Sequence, residues 1–212
     1  MKKILLTLTA LAGLSTLSYA QEFGFQKGDI LLEGNVSLNT LKREYELSAS
    51  KLTMTNLALR PKAGYFVADK WVLGVDLGYE LSRTASLYEN MSSVKSSAHR
   101  YRFGGFGRYY FWDLGERFKT FTELGAYYGF DRNENYDLVD ARINRYGANA
   151  GIGANYFLTR RVAIGYSFTD LISFDTDRPD LDNADATKRF RVNLNSFSNF
   201  LQSGFFSLTF KL

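Results

Sequence analysis

Few residues in this chain are of types that do covalent chemistry, and their spacing is the first constraint on its function. The 212 residues include one His and no Cys. The single His99 lies close to Ser96 and Ser97. A His beside a serine hydroxyl or an acid is the start of an acyl-transfer site of the kind lipid hydrolases use. The spacing here matches no nucleophile–base motif, so His99 reads as incidental and the chain as no enzyme. Six aspartates, Asp170, Asp175, Asp177, Asp180, Asp182 and Asp185, crowd one stretch. Carboxylate-rich loops can hold divalent cations. This one lacks the central Gly and closing Glu of a calcium loop and reads as a solvated acidic loop. No zinc spacing, phosphate-binding glycine loop or nucleic-acid patch is present, so neither metal nor cofactor is expected. Without Cys there is no disulfide or thiol chemistry.

Charge in a fixed phase is what the chain does have. Glu33, Arg60, Lys62, Asp76, Glu80, Arg100, Arg102, Arg108, Glu123 and Lys211 all occupy one phase of segments that alternate with period two. Strand side chains point alternately to opposite faces, so these groups share the inside of a curved sheet. Paired, such charges are tolerated in a closed interior; unpaired, they are costly. The expected arrangement is a structural plug of ion pairs. The alternative is a narrow pathway for ions or small solutes, opened when the pairs rearrange.

The elements that must position these charges are eight alternating segments. Seven of them are 30–38, 56–66, 71–80, 100–111, 123–130, 146–156 and 162–169. The eighth runs from Gly204 to Leu212, with Phe190, Val192 and Leu194 continuing its phase upstream. The opposite face of all eight carries no charge. An Arg or Lys facing lipid at the bilayer midplane costs roughly 2–4 kcal/mol, so a lipid-facing wall should be this bare. A soluble barrel or sandwich also alternates, and three features separate the cases. Outward aromatics gather at segment ends: Tyr65, Trp71, Tyr109, Phe111 and Tyr156 at one rim; Tyr79, Tyr101, Tyr128 and Tyr146 at the other. Interfacial girdles have that distribution. Connections alternate short and long. Inward glycines leave space for bulky neighbours.

The first twenty residues read as a cleaved leader. Lys2 and Lys3 precede an apolar run from Ile4 to Leu14, and Ser18-Tyr19-Ala20 supplies the small residues of a cleavage site before Gln21. The apolar run is about half the roughly 20 residues of a spanning helix. Without Lys2 and Lys3 the 26 basic residues become 24 against 22 acids, a net charge of +2. That is too small to suggest nucleic acid as a partner. Residues 21–212 then form one domain. Tight turns are expected at 68–70, 113–117 and 159–161, and long polar loops near 40–51, 83–97, 131–145 and 170–188. Short periplasmic turns and longer outer loops are the barrel rule, and this count leaves both termini in the periplasm. The run 97–112 exceeds the roughly 9–11 residues that cross a bilayer, which predicts a wall continuing above the membrane. Pro61 lacks an N–H and predicts a bulge or a missing ladder bond.

The stretch Pro61-Lys62-Ala63-Gly64-Tyr65-Phe66-Val67-Ala68-Asp69-Lys70-Trp71-Val72-Leu73-Gly74 resembles the signature hairpin of small outer-membrane β-barrel-domain proteins. It is similar to the pattern P-x-x-G-Y-F-V-x-D-x-W-x-x-G common in porin-family chains of the Bacteroidota. The segment Phe106-Gly107-Arg108-Tyr109-Tyr110-Phe111 resembles that family's fourth strand. The resemblance implies an all-β, eight-stranded, antiparallel up-and-down transmembrane barrel of the OmpA/OmpX type in the outer membrane. It carries over no catalytic residues. The expected function is structural or surface interaction through four extracellular loops. A small porin-like channel is the alternative, and a lipid-modifying barrel enzyme is a weaker one. Expected partners are outer-membrane lipid and lipopolysaccharide, and the barrel-assembly machinery through the C-terminal strand. The barrel is expected to be a monomer.

Overall fold

In the computed structural model the described residues are 23–45, 50–88, 91–135, 142–180, 185–193 and 205–212. The stretch read as a leader, Leu194 and Gly204 lie outside them. Among the described residues there is no helix. The strands are β1 (Ile30–Tyr45), β2 (Ser50–Ala68), β3 (Trp71–Tyr88), β4 (Met91–Asp113), β5 (Phe118–Asn135), β6 (Arg142–Phe157), β7 (Val162–Pro179), β8 (Thr187–Val192) and β9 (Phe205–Lys211). Each of β1 to β7 pairs antiparallel with the next. β9 pairs with both β7 and β1 and closes the cylinder. The fold is therefore an all-β, closed eight-stranded barrel.

The eighth stave is built from two pieces. β9 pairs with Val162–Ser167 of β7 and β8 with Ile172–Asp177. Residues 193–204 therefore separate two pieces that only residues 168–171 separate on β7. The alternation through Phe190 and Val192 is thus a real strand, offset from the terminal one rather than continuous with it. Among the described residues, β1 above Gly34 pairs only with β2.

The three tight turns fall where the spacing puts them, between β2 and β3, β4 and β5, and β6 and β7. The four stretches read as long loops are largely strand. β1 continues to Tyr45, β3 to Tyr88, β5 to Asn135 and β7 to Pro179. In the first three the reason is physical: above the apolar band both faces of the wall are polar, so alternation fades while ladder bonds, Thr, Val and Tyr still favour extended chain; in the fourth, outward Ile172 and Phe174 do alternate with buried Ser173 and Asp175, and the run of aspartates masks that pattern. The expected extension is present, because β4 runs 23 residues, about twice what a bilayer requires. At Pro61 the β1 ladder is continuous. The β2–β3 ladder lapses between the Leu59–Tyr79 and Lys62–Asp76 pairs with its register unchanged. The cause is the missing proline donor, and no bulge accompanies it.

Small residues set the lumen width. A Cβ on Gly153 would sit 2.4 Å from the Phe121 ring and 2.6 Å from the Tyr166 carbonyl oxygen. One on Gly147 would meet the Tyr127 ring at 2.5 Å. These inward glycines are the space that the aromatic rings occupy.

Candidate functional site

The site is the lumen, layered from its short-turn end upward. At the base lies an aromatic seal. The segment before β1 turns inward, and Phe25 stacks on Phe66 at 4.5 Å, with Tyr110 at 5.2 Å and Phe157 at 5.1 Å. Leu31, Val72 and Phe121 complete this cluster, which Phe106 joins from higher on β4. Lys211 ties the segment down: its Nζ donates to the Gly24 carbonyl at 2.8 Å and meets Asp29 at 3.0 Å.

Above the seal sits Arg108, on an inward position of β4, its side chain fully buried. Its guanidinium donates to both oxygens of Glu33, Nη1 at 2.9 Å and Nη2 at 3.2 Å. Nε donates to Glu123 at 2.8 Å. Lys62 reaches the other oxygen of Glu123. Two cations thus face two carboxylates, and the layer is neutral. The Arg108 plane also lies 3.9 Å from the centre of the Phe121 ring. A hydrogen-bonded chain finishes the ring of contacts: Arg108 to the Tyr110 hydroxyl at 3.3 Å, Tyr110 to Asn155 at 2.8 Å, and Asn155 to Thr209 at 3.1 Å. Charge-assisted, bidentate bonds of this kind are the strongest a guanidinium makes.

The next layers repeat the pairing with greater exposure. Arg102 meets Asp76 at 3.2 Å and lies 3.7 Å over the Tyr127 ring. Tyr127 donates to Asp175, which also accepts from Arg191 at 2.6 Å. Higher still, Arg100 bridges Glu80 at 3.0 Å and Asp131 at 3.0 Å. Arg145 links Asp131 at 2.9 Å to Asp177 at 3.2 Å, and Arg189 reaches Asp177.

The structure therefore brings Glu33, Lys62, Arg108 and Glu123 into one buried group, Asp76 and Arg102 into a second, and Glu80 and Arg100 into a third. Arg60 differs. Among the described residues no carboxylate pairs with it, and its guanidinium lies over the Phe205 ring at 5.1 Å. It lines both a cavity of about 130 Å³ above, with Arg100, Arg102 and Tyr127, and one of about 50 Å³ below, with Lys62 and Asp76.

Six members of the upper layers, Asp131, Arg145, Asp175, Asp177, Arg189 and Arg191, are absent from the charge set read from sequence. Their signal was available: Asp175 and Asp177, and Arg189 and Arg191, alternate with outward Phe174 and Phe190. The stretch read as a solvated acidic loop is corrected accordingly. Asp175 is buried, and both it and Asp177 sit on β7 already neutralised by arginines. Asp180 and Asp185 are exposed, and Asp182 lies outside the described residues. Among those residues no group of three or more His, Cys, Asp or Glu could hold a metal ion.

His99 stands on the outer wall, away from the lumen, where its Nδ1 meets the Tyr79 hydroxyl at 3.0 Å. On the same wall Trp71 stacks on Tyr109 at 4.6 Å, Tyr79 lies 5.4 Å from Tyr101, and Tyr128 lies 5.2 Å from Tyr146. Tyr65, Phe111 and Tyr156 are exposed there as well. Phe103 and Phe130 add to the upper group.

No protein-family model matches the chain, and no curated protein matches it. Solved structures do. The outer membrane protein OprG from Pseudomonas aeruginosa is 13% identical, with a TM-score of 0.50 over 89% of this chain and 98% of that one. The N-terminal β-barrel domain of Pseudomonas aeruginosa OprF is 16% identical, with a TM-score of 0.37 over 88% and 99%. A major outer membrane protein from Thermus thermophilus is 11% identical, with a TM-score of 0.39 over 87% and 99%. The likeness to OprG is one of fold.

Proposed function

We propose that this chain is an integral outer-membrane barrel with a closed lumen, whose role is structural and interactional. It holds a rigid wall in the bilayer and carries long strand extensions and their loops above it. One observation carries this reading: the chain is inside out. Thirty large apolar side chains are exposed among the described residues, most on outward strand positions, while eight hydrophobic residues are buried. Leaving one such side chain in water costs roughly 1.5–3 kcal/mol, and soluble monomers rarely expose contiguous apolar patches beyond a few hundred Å². Hydrocarbon against this wall removes that cost. The fold likeness to an outer membrane protein supports the same location, and the leader supplies the export it requires. The terminal strand is then the segment offered to the assembly machinery.

The closed lumen follows from its base. Eight strands leave an interior just wide enough for side chains, and here the aromatic seal and the neutral Arg108 layer fill it. Nothing in the site has the geometry of a nucleophile with its base, so no catalysis is assigned. Single-channel recording of refolded mature protein in planar bilayers tests the reading. The expected trace is silent. Reproducible open steps that change in the Arg102→Ala/Glu80→Ala variant would replace the plug with the channel alternative.

A further inference from the structure

Arginine and glycine alternate along one belt of the lumen. Gly78 on β3 pairs with Arg102 on β4, Arg102 with Gly129 on β5, and Gly129 with Arg145 on β6. The unchanged β2–β3 register sets Arg60 opposite Gly78, across the lapse that Pro61 leaves in the ladder. A Cβ on Gly78 would come within 3.1 Å of the Arg102 side chain, so the glycines are room for guanidinium groups. The room left over is the upper cavity of about 130 Å³, which Arg60, Arg100, Arg102, Arg145 and Tyr127 line with Glu80 as the one carboxylate. A single water needs roughly 10–15 Å³ of such space, so a molecule of several heavy atoms fits.

The charges around this cavity do not balance. Arg100, Arg102, Arg145 and Arg189 share Asp76, Glu80, Asp131 and Asp177, one carboxylate for each. Arg60 adds a fifth positive charge. Among the described residues no carboxylate meets it, and its guanidinium rests on the Phe205 ring. Neither the Arg60 nor the Arg102 guanidinium donates a hydrogen bond to a described residue. Water can take those N–H groups, but it cannot cancel the excess charge. Side-chain exposure rises from 0% at Arg108 to 25% at Arg102 and 41% at Arg100, so the cavity is reached from the outer end and is closed below. Guanidinium forks match the paired oxygens of carboxylates and phosphates in geometry and charge. We propose that this cavity binds one small oxyanion, a carboxylate or a phosphate group, between Arg60 and Arg102. The site rests on the closed-lumen reading above and adds to it a ligand that enters from outside and goes no further.

The test is titration calorimetry on the refolded mature protein in an uncharged maltoside detergent. Sodium phosphate and sodium acetate are the probes, each at an ionic strength held constant with sodium chloride. The parent is expected to bind one anion per barrel, and the tighter of the two probes names the ligand group. Arg60→Gln is expected to bind roughly tenfold to a hundredfold more weakly, the worth of a hydrogen bond to a charged group. Arg60→Lys, which keeps the charge and loses the fork, is expected to fall between them. Arg102→Gln/Asp76→Asn, which leaves the net charge unchanged, is expected to weaken binding as well. Lys70→Gln at the short-turn end is expected to bind as the parent does. Mobility on unheated gels reports that each variant is folded. A folded parent with no saturable heat, equal affinity in folded Arg60→Gln and Arg102→Gln/Asp76→Asn, or an equal loss in Lys70→Gln would overturn the proposal. Open conductance steps of the parent would instead overturn the closed lumen itself.

Discussion

Replacing Arg108 by Met removes one charge from the least hydrated place in the molecule and leaves a countable imbalance. The Arg108 side chain is 0% exposed, that of Glu33 6% and that of Glu123 10%, so solvent screening offsets little. In the parent, two cations face two carboxylates. In the variant Lys62 alone faces them, and Glu33 loses both of its guanidinium bonds. Breaking a buried pair by removing one partner costs about 3–5 kcal/mol, and the expected loss of unfolding free energy lies in that range. Restoring neutrality should recover most of it. In Arg108→Met/Glu33→Gln the surviving charges are Lys62 and Glu123, which already touch. The double variant is therefore expected to be more stable than the single one, a non-additivity that a double-mutant cycle measures. The assay is urea unfolding of the refolded barrel in phosphatidylcholine vesicles. Fluorescence of Trp71 and Trp112, both exposed on the wall, reports the transition, and unheated gels supply an independent folded fraction. A single-variant loss below about 1 kcal/mol, or a double variant less stable than the single, would refute the claim that Arg108 neutralises a sealed chamber.

The lipid face and the lumen width give two further tests in the same assay. Leu124 is 64% exposed in mid-wall, so Leu124→Arg should cost roughly 2–4 kcal/mol in a bilayer; a cost near zero would mean that this face does not meet hydrocarbon. Gly153→Ala drives a methyl into the Phe121 ring and the Tyr166 carbonyl. Overpacking of that kind should cost about 1–3 kcal/mol, whereas Gly107→Ala, with its nearest contact at 3.4 Å, should be close to neutral.

What is legible in the sequence depends on whether the two faces of a strand meet different media. From Ile30 to Leu38, or from Trp71 to Glu80, one face is apolar and the other charged, and the period-two signal is plain. The same strands continue past Thr40 and Arg83 with both faces polar. There the pattern fades, although the ladder bonds do not, and strand reads as loop. The lower lumen is legible because Glu33, Arg108 and Glu123 interrupt apolar alternation. The upper lumen is legible only through the phase of Phe174 and Phe190, and composition alone describes the run of aspartates around Asp175 and Asp177 as solvated. The split of the eighth stave leaves no local signal. Phe190, Val192, Leu194 and the terminal strand share one phase, and only pairing with β7 separates them.

That split leaves one stretch of chain exempt from the arithmetic of closure. Elsewhere, adding a residue to a stave moves every side chain beyond it to the opposite face. Val192 and Phe205, on either side of residues 193–204, are anchored independently on β7, so the register of each piece is set by that strand and not by the count of residues between them. Each piece of that stave keeps its own facing on the cylinder, fixed by its own ladder rather than by its neighbour in sequence.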